Sequence, residues 1–570
     1  MNMIMKAIAN KMLASLLTLA GLATLFSCNE EKILDEQPLD FLTPANAFTT
    51  PEGVDQGLVG LYASLRNNWT YCQIANQPYG LYGMGTDVGY DGETPGGQRF
   101  LTNYETSVTP EYTLINTWWR ILYNEIQSAN LVIRAIDEMD PAKWKSEEQK
   151  RVSLGEALFF RAWCHRIAVT LWGDVPLVTY VVDGVKVDFI RNPKAEVYAQ
   201  IEQDLLNASK YLPDPGSEKA PGRLTKGAAL HLLTDVYLAQ KKYTEAVQTA
   251  TRVINDFGYR LMTERFGEKF DIFGTGDVYW DLFRYGNQNT SKNTETIWAI
   301  QVEPNSPKGS PQGLYWSGIY GPRLQKFGLA PDGKPAYINT VSDTLGVQVA
   351  RMRGTSLVFY GVWQSDWNND IRNAPHNIKR VFYYENPESE YNGKPIDLSQ
   401  FKPGTRNALK DTTNYLYPFF MKGWNPVIQA TISDFKKKGG GYTHTDFYMM
   451  RLAETYLLRA EAYIGLNNKE LAAKDINVVR SRAHAHPVKP EEVDLDYLLD
   501  ERIRELYAEE MRMIILLRMG KLVERTRKYH DNPLLPGANI HDYNNLWPIP
   551  QAQIDLNYGA EFKQNPGYGD

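Results

Sequence analysis

Three cysteines in 570 residues leave no disulfide framework, so a small stapled domain is excluded. With Cys28 close to the start, only Cys72 and Cys164 remain as a candidate pair, and a bridge between them stays open at this point. A chain of this length buries a large core without staples. Basic excess is also missing: 61 Lys and Arg stand against 67 Asp and Glu, a net charge of −6, which argues against a nucleic-acid partner. Beyond the N-terminal leader no apolar run reaches the roughly 20 residues of a membrane span. Catalytic signatures are absent too. The chain has no Walker loop, no Gly-x-Gly-x-x-Gly after a strand and no Gly-x-Ser-x-Gly elbow. His484-x-His486 precedes Pro487 and lacks cysteine or carboxylate partners at zinc spacing. Asp366-x-Asn368-x-Asp370 opens like a calcium loop, but Ile371 and Asn377 stand where Gly and Glu are needed, so it reads as a turn held by side-chain-to-backbone bonds. A glycosidase needs two carboxylates at a fixed separation, and 67 acidic residues leave such a pair open at this point. No enzyme, metal or cofactor is expected.

What is present begins with a leader. Lys6 and Lys11 flank the short apolar run 12–26, which ends in Leu25-Phe26-Ser27-Cys28. A small residue before cysteine at this place reads as a lipoprotein cleavage box, with residues 1–27 removed and Cys28 lipidated. Asn29-Glu30-Glu31-Lys32 follows and resembles the surface-export signal of Bacteroidetes lipoproteins. The expected product is a lipid-anchored outer-membrane protein facing the cell exterior. The aromatic set, 35 Tyr and 13 Trp against 21 Phe, favours rings that offer a flat apolar face with a polar edge.

Helical periodicity marks 51–66, 116–139, 146–171 and 192–211. Two hairpins, 226–240 with 243–256 and 446–465 with 469–482, align on one another. Tyr237 falls on Tyr463, Ala246 on Ala472, Ala250 on Ile476 and Val253 on Val479, as in tetratricopeptide hairpins of about 34 residues. Residues 500–519 read as one further helix with a solvated, ion-paired face. Between the hairpins Gly, Pro and Asn become dense, and Thr296-Ile-Trp-Ala-Ile-Gln-Val302 reads as a strand that buries Trp298.

Four stretches together resemble the SusD/RagB family: ALFFRAWCHRIAVTLWGDVPLV (157–178), GRLTKGAALHLLTDVYLAQKKYTEAV (222–247), FYMMRLAETYLLRAEAYIGLNNKELAAKDINVVRSRA (447–483), and 499–522 leading to Asn545-Leu-Trp-Pro-Ile-Pro550. The resemblance implies a mainly α fold, a tetratricopeptide-like scaffold of about four helix pairs with an irregular loop-rich subdomain. It divides the chain into a tether and N-terminal arm at 28–50, a first scaffold part at 51–260 with a ligand-facing loop at about 68–112, an insert at 261–445 as candidate ligand-binding subdomain, a second scaffold part at 446–528, and a tail packed on the scaffold at 529–570. It also implies a partner, a SusC-like TonB-dependent transporter, to which captured oligosaccharide or polysaccharide is delivered. A peptide-binding importer subunit, a surface glycosidase and a pure repeat scaffold are the competing readings.

Sugar rings stack on flat aromatics and present hydroxyls to Asn, Asp, Gln, Arg and Lys. Two regions carry such sets. The early loop offers Trp69, Tyr71, Tyr82, Asp87, Tyr90 and Tyr104. The insert offers Trp280, Arg284, Tyr285 and Asn287, then Tyr315, Trp316 and Tyr320, then Tyr360, Trp363 and Trp367. Trp316 and Tyr320, with a contact near Tyr90, are the expected platform.

Overall fold

Thr50 begins the scaffold with an N-cap: its hydroxyl accepts from the Gly53 amide at 3.2 Å, and Pro51 stands in the first turn. The computed structural model describes residues 47–70, 78–96, 101–269, 271, 276–303, 313–338, 349–424 and 443–569. The leader, Cys28, Tyr71 and Cys72 lie outside them. Helix α1 (Pro51–Trp69) buries Val54, Leu58, Leu61 and Leu65 on one face and packs on α2 (Thr113–Glu138) and α3 (Glu147–Trp172). Then α4 (Lys194–Tyr211), α5 (Lys226–Ala239) and α6 (Tyr243–Asp256) follow, each packed on its predecessor.

The chain leaves this stack after α6 and returns as α7 (Leu452–Gly465), which packs on α6 as the next layer, followed by α8 (Lys469–Arg482) on α7. Gly465 permits the contact, because a Cβ there would come 2.4 Å from the Tyr243 ring. The hairpin repeat extends to the backbone. Lys241 and Asn467 hold the same left-handed conformation, φ 58° and 57°. The next amides, of Lys242 and Asn468, donate to the Tyr237 and Tyr463 carbonyls at 2.9 and 2.8 Å. Ala246, Ala250 and Val253, like Ala472, Ile476 and Val479, are buried. The fold is mainly α, as expected.

Three expectations need correction. Residues 446–465 do not form one helix: Phe447–Arg451 is a strand, and the helix starts at Leu452. That strand pairs antiparallel with Thr296–Ile300, placing Trp298 opposite Met450 and Ile300 opposite Phe447. Bulky aromatics at 447 and 448 suit a pleated, buried surface. Residues 500–519 are also broken, into α9 (Leu495–Leu506) and α10 (Arg512–Met519), with Ala508 at φ 64° in the turn between them. Helices α11 (Leu522–Tyr529) and α12 (Gln551–Leu556) follow.

The charge pattern of 501–512 is not solvated. Glu501, Arg502, Arg504, Glu505, Glu510 and Arg512 are all buried. Glu505 meets Arg372 and Arg451 at 3.0 Å each and also Arg482. Glu501 meets Arg372, Arg480 and Arg504 at 2.7–2.9 Å. Arginines from α8, from the strand before α7 and from the 372 segment thus converge on one helix face, joining the scaffold to the irregular part.

Burial pushes the Glu501 carboxyl up, but the Arg372, Arg504 and Arg480 guanidiniums outweigh it and hold it at about 2. Asp87, buried against Arg512 and Arg525, and Glu454, half-buried against His231 and Arg502, are likewise held at about 2. Unfolded carboxyls take up protons near about pH 4. Between about pH 4.5 and 2 the unfolded chain therefore binds more protons, and stability falls on acidification. Burial raises Glu156 to about 7 and Asp446 to about 6, which acts in the opposite sense, lowering stability as pH rises through that range. The melting temperature should peak near about pH 5 and drop steeply below about pH 4. A melting temperature unchanged between pH 5 and 3 would contradict this coupling.

The apolar residues form a helical core around Trp69, Trp118, Phe159 and Trp163, and a second one in which residues 79–88 pack with Trp280, Trp316, Phe359, Trp363 and Phe420. Cys164 is a buried free thiol 3.4 Å from Glu125, while Cys72, the other half of the candidate pair, lies outside the described residues.

Candidate functional site

Residues 356–366 form two short helical segments, Ser356–Phe359 and Gly361–Asp366. Phe359, Val362 and Trp363 turn inward; Tyr360 and Trp367, which flank the second segment on either side, turn outward. The Trp363 indole donates to the Val358 carbonyl at 2.8 Å, locking the inner face. Tyr360 is 43% and Trp367 44% exposed, and their rings stack with centroids 6.4 Å apart at 10°.

The strand Ile378–Lys379, paired antiparallel with Phe419–Phe420, runs beside them. Ile378 and Phe382 are buried, while Lys379, Val381 and Tyr383 face outward by the alternation of extended backbone. The Arg380 guanidinium lies 4.7 Å from the Trp367 ring centre and 6.0 Å from that of Tyr360. It donates to the Asn373 side-chain oxygen at 2.5 Å and to the Phe359 carbonyl at 2.9 Å. Asn373 in turn donates to the Trp367 carbonyl at 2.7 Å. Burial lowers the Arg380 proton affinity to about 10. Trp367, Asn368, Asn369, Lys379, Arg380 and Tyr383 line a groove of about 500 Å³.

The arrangement offers ring faces, amides and cations. The carboxylates beside it are engaged. Asp370 is buried against Arg372 at 2.6 Å, and Asp366 accepts from Arg480 and His486 at 2.6 Å each. Asp370 also accepts from the Arg372 amide and Asp366 from the His486 amide, while the 366–370 turn itself is closed by backbone bonds, the Asn369 and Asp370 amides donating to the Asp366 carbonyl at 3.2 and 3.1 Å.

Of the other candidate residues, most are structural. Trp69 is buried 4.9 Å from Trp118. Asp87 joins the early segment to α10 and α11 through Arg512 and Arg525, at 2.6 and 2.7 Å. Tyr90 is buried beside His530 and Arg353, and Tyr104 is buried in the helical core. Trp280 is buried under Arg284, whose guanidinium sits 3.7 Å over its ring and donates to the Met421 and Trp424 carbonyls. Asn287 ties the Glu268 and Asp281 carbonyls. Tyr285 and Tyr315 are half-buried. The expected platform is corrected: Trp316 and Tyr320 are buried, 5.4 Å apart, against Phe447 and Tyr507. Trp363 is buried, and Tyr71 lies outside the described residues. Among the described candidates Trp367 is exposed and lines the groove, and Tyr360, equally exposed, stacks on it. Sequence reasoning missed Arg380, Asn373 and Tyr383; the alternation in Ile378-Lys-Arg-Val-Phe-Tyr383 was a signal that could have found Tyr383, whereas Arg380 shares the parity of the buried Ile378 and Phe382.

Fold and site together define a helical-repeat scaffold that carries an exposed aromatic groove on an irregular subdomain. The chain belongs to the SusD/RagB family. The profile described as "SusD family" matches residues 380–568, and that described as "Starch-binding associating with outer membrane" matches residues 34–238. SusD-like protein P25 of Formosa agariphila is 25% identical over 562 residues, covering 93% of this chain and 94% of that one. The starch-binding protein SusD of Bacteroides thetaiotaomicron is 25% identical over 450 residues, 75% of each chain. A solved laminarin-binding SusD-like protein superposes with a TM-score of 0.63 at 22% identity, over 91% of this chain and all of that one.

Proposed function

We propose that this chain is a non-catalytic glycan-binding lipoprotein, lipidated at Cys28 and exposed on the outer membrane, that captures oligosaccharide or polysaccharide and delivers it to a SusC-like TonB-dependent transporter. The observation that carries the binding half is the exposed Tyr360–Trp367 stack beside a groove lined by Asn368 and Asn369. Two parallel rings at that spacing suit the apolar faces of a sugar chain, and the amides suit its hydroxyls. Family membership supports the transporter and the membrane anchor, and the names of relatives that bind starch and laminarin support a glycan ligand. The segment 261–445 supplies the ligand-facing surface in this reading.

Native affinity electrophoresis of the mature chain with Cys28→Ser, run through gels containing neutral and acidic polysaccharides, tests the binding half. At least one polysaccharide should retard the protein, with no shortening of the glycan. Retardation by none, together with saturable binding of a peptide mixture, would replace the glycan with a peptide.

A further inference from the structure

We infer that the Tyr360–Trp367 groove takes an acidic glycan, with Arg380 meeting a carboxylate or sulfate on the sugar that stacks against Trp367. This rests on the glycan-binding reading above and adds the charge of the ligand.

The argument starts from how the arginines nearby are compensated. Arg372 pairs with Asp370, Glu501 and Glu505, and Arg480 pairs with Asp366 and Glu501. Those two are fully buried; Arg380 is half-buried, and among the described residues its hydrogen bonds go only to neutral acceptors, the Asn373 and Phe359 backbone carbonyls and the Asn373 side-chain oxygen. Those bonds orient the guanidinium and brace Trp367, but they leave its positive charge without a counter-charge. Planar guanidinium is well matched to carboxylate and sulfate oxygens.

The other titratable groups around the groove reinforce the sign. The carboxylate of Asp370 is turned into the Arg372 pair, that of Asp366 into Arg480 and His486, and that of Asp277 onto His376 at 2.7 Å. Glu385 acts on Lys379, whose ammonium lies 5.3 Å over the Tyr383 ring. Lys379 therefore adds positive potential at the groove, partly offset by Glu385, and the inference rests on Arg380. A neutral sugar would stack on Trp367 without relieving the desolvated cation. An acidic one would do both, so charge discriminates between ligands at this site.

The test uses matched probes on the mature Cys28→Ser chain: polygalacturonate against its methyl ester, and a sulfated galactan against its desulfated form, with starch and laminarin as neutral glycans. The expected result is tighter binding to a charged member than to its neutral twin, by about ten-fold or more. That preference should weaken as salt is raised, be lost in Arg380→Gln and survive in part in Arg380→Lys. The first pair reports a carboxylate, the second a sulfate. Binding confined to neutral glycans and abolished by Trp367→Ala would overturn the acidic ligand while keeping the glycan reading. An unchanged preference in Arg380→Gln at an unchanged melting temperature would also overturn it. Retention by none of the probes would count against the glycan reading itself.

Discussion

Glu505→Ala should destabilise the folded chain by about 3–5 kcal/mol, read as a lowered urea midpoint in tryptophan fluorescence and circular dichroism. The side chain is fully buried, and its two oxygens meet Arg372, Arg451 and Arg482, which come from three separate parts of the chain. Removing it leaves three guanidiniums in a site closed to water. Glu295 and Glu509 still serve Arg451, Glu295 serves Arg482, and Asp370 and Glu501 serve Arg372. The remaining carboxylates are thus shared among more positive charge. Desolvation makes each uncompensated cation costly, whereas an exposed pair loses little when broken. The exposed i,i+4 pair Arg151–Glu147 in α3 is the control, and Arg151→Ala should shift stability by about 0.5 kcal/mol or less. Equal shifts for the two variants would show that the cluster carries no special weight. Because buried ion pairs are weak sources of net stability, the cluster is better understood as a registration device. It holds strand 447–451, α8 and the 372 segment against α9 in one arrangement.

The repeat scaffold was legible because its signal is local. Alanine at 246 and 472, and the aromatic at 237 and 463, sit at fixed offsets within one hairpin, and the equal φ angles at Lys241 and Asn467 follow from the same short turn. The errors fall where partners are remote in sequence. Asp446 and Phe447-Tyr-Met-Met-Arg451 have an apolar content that fits either helix or strand, and only the distant 296–300 segment decides for strand. The charges of 501–512 look like a solvated face unless their partners at 87, 372, 451 and 482 are known. The site suffers the same limit. Trp363 and Trp367 are four residues apart, alike in type and in loop-rich surroundings, yet one is buried and the other half-exposed. An excess of Tyr and Trp therefore indicated a binding protein without saying which rings bind. Family resemblance supplied the fold and left these side-chain assignments to the packing.

Trp316→Ala and Trp367→Ala should give opposite phenotypes, and the contrast decides where the ligand face lies. Trp316 is 4% exposed, and its ring is 5.4 Å from Tyr320 and 6.0 Å from Phe447. It packs so closely on Gly423 that a Cβ there would come 1.9 Å from the indole. Truncating it leaves a cavity where three segments of the second core meet, at a cost of about 3–5 kcal/mol. Glycan affinity should change only as far as the fold loosens. Trp367 projects from a braced turn, so its truncation removes one ring face and should leave stability within about 0.5 kcal/mol. If that ring is the central contact, affinity should fall by about 2 kcal/mol, roughly thirty-fold. Thermal melts and isothermal titration on the same preparations separate the two effects. Loss of binding in Trp316→Ala at an unchanged midpoint, with Trp367→Ala binding normally, would return the ligand face to the 315–320 segment. The opposite pattern would place it on the outward side of 360–383, where exposure, ring stacking and an uncompensated arginine coincide.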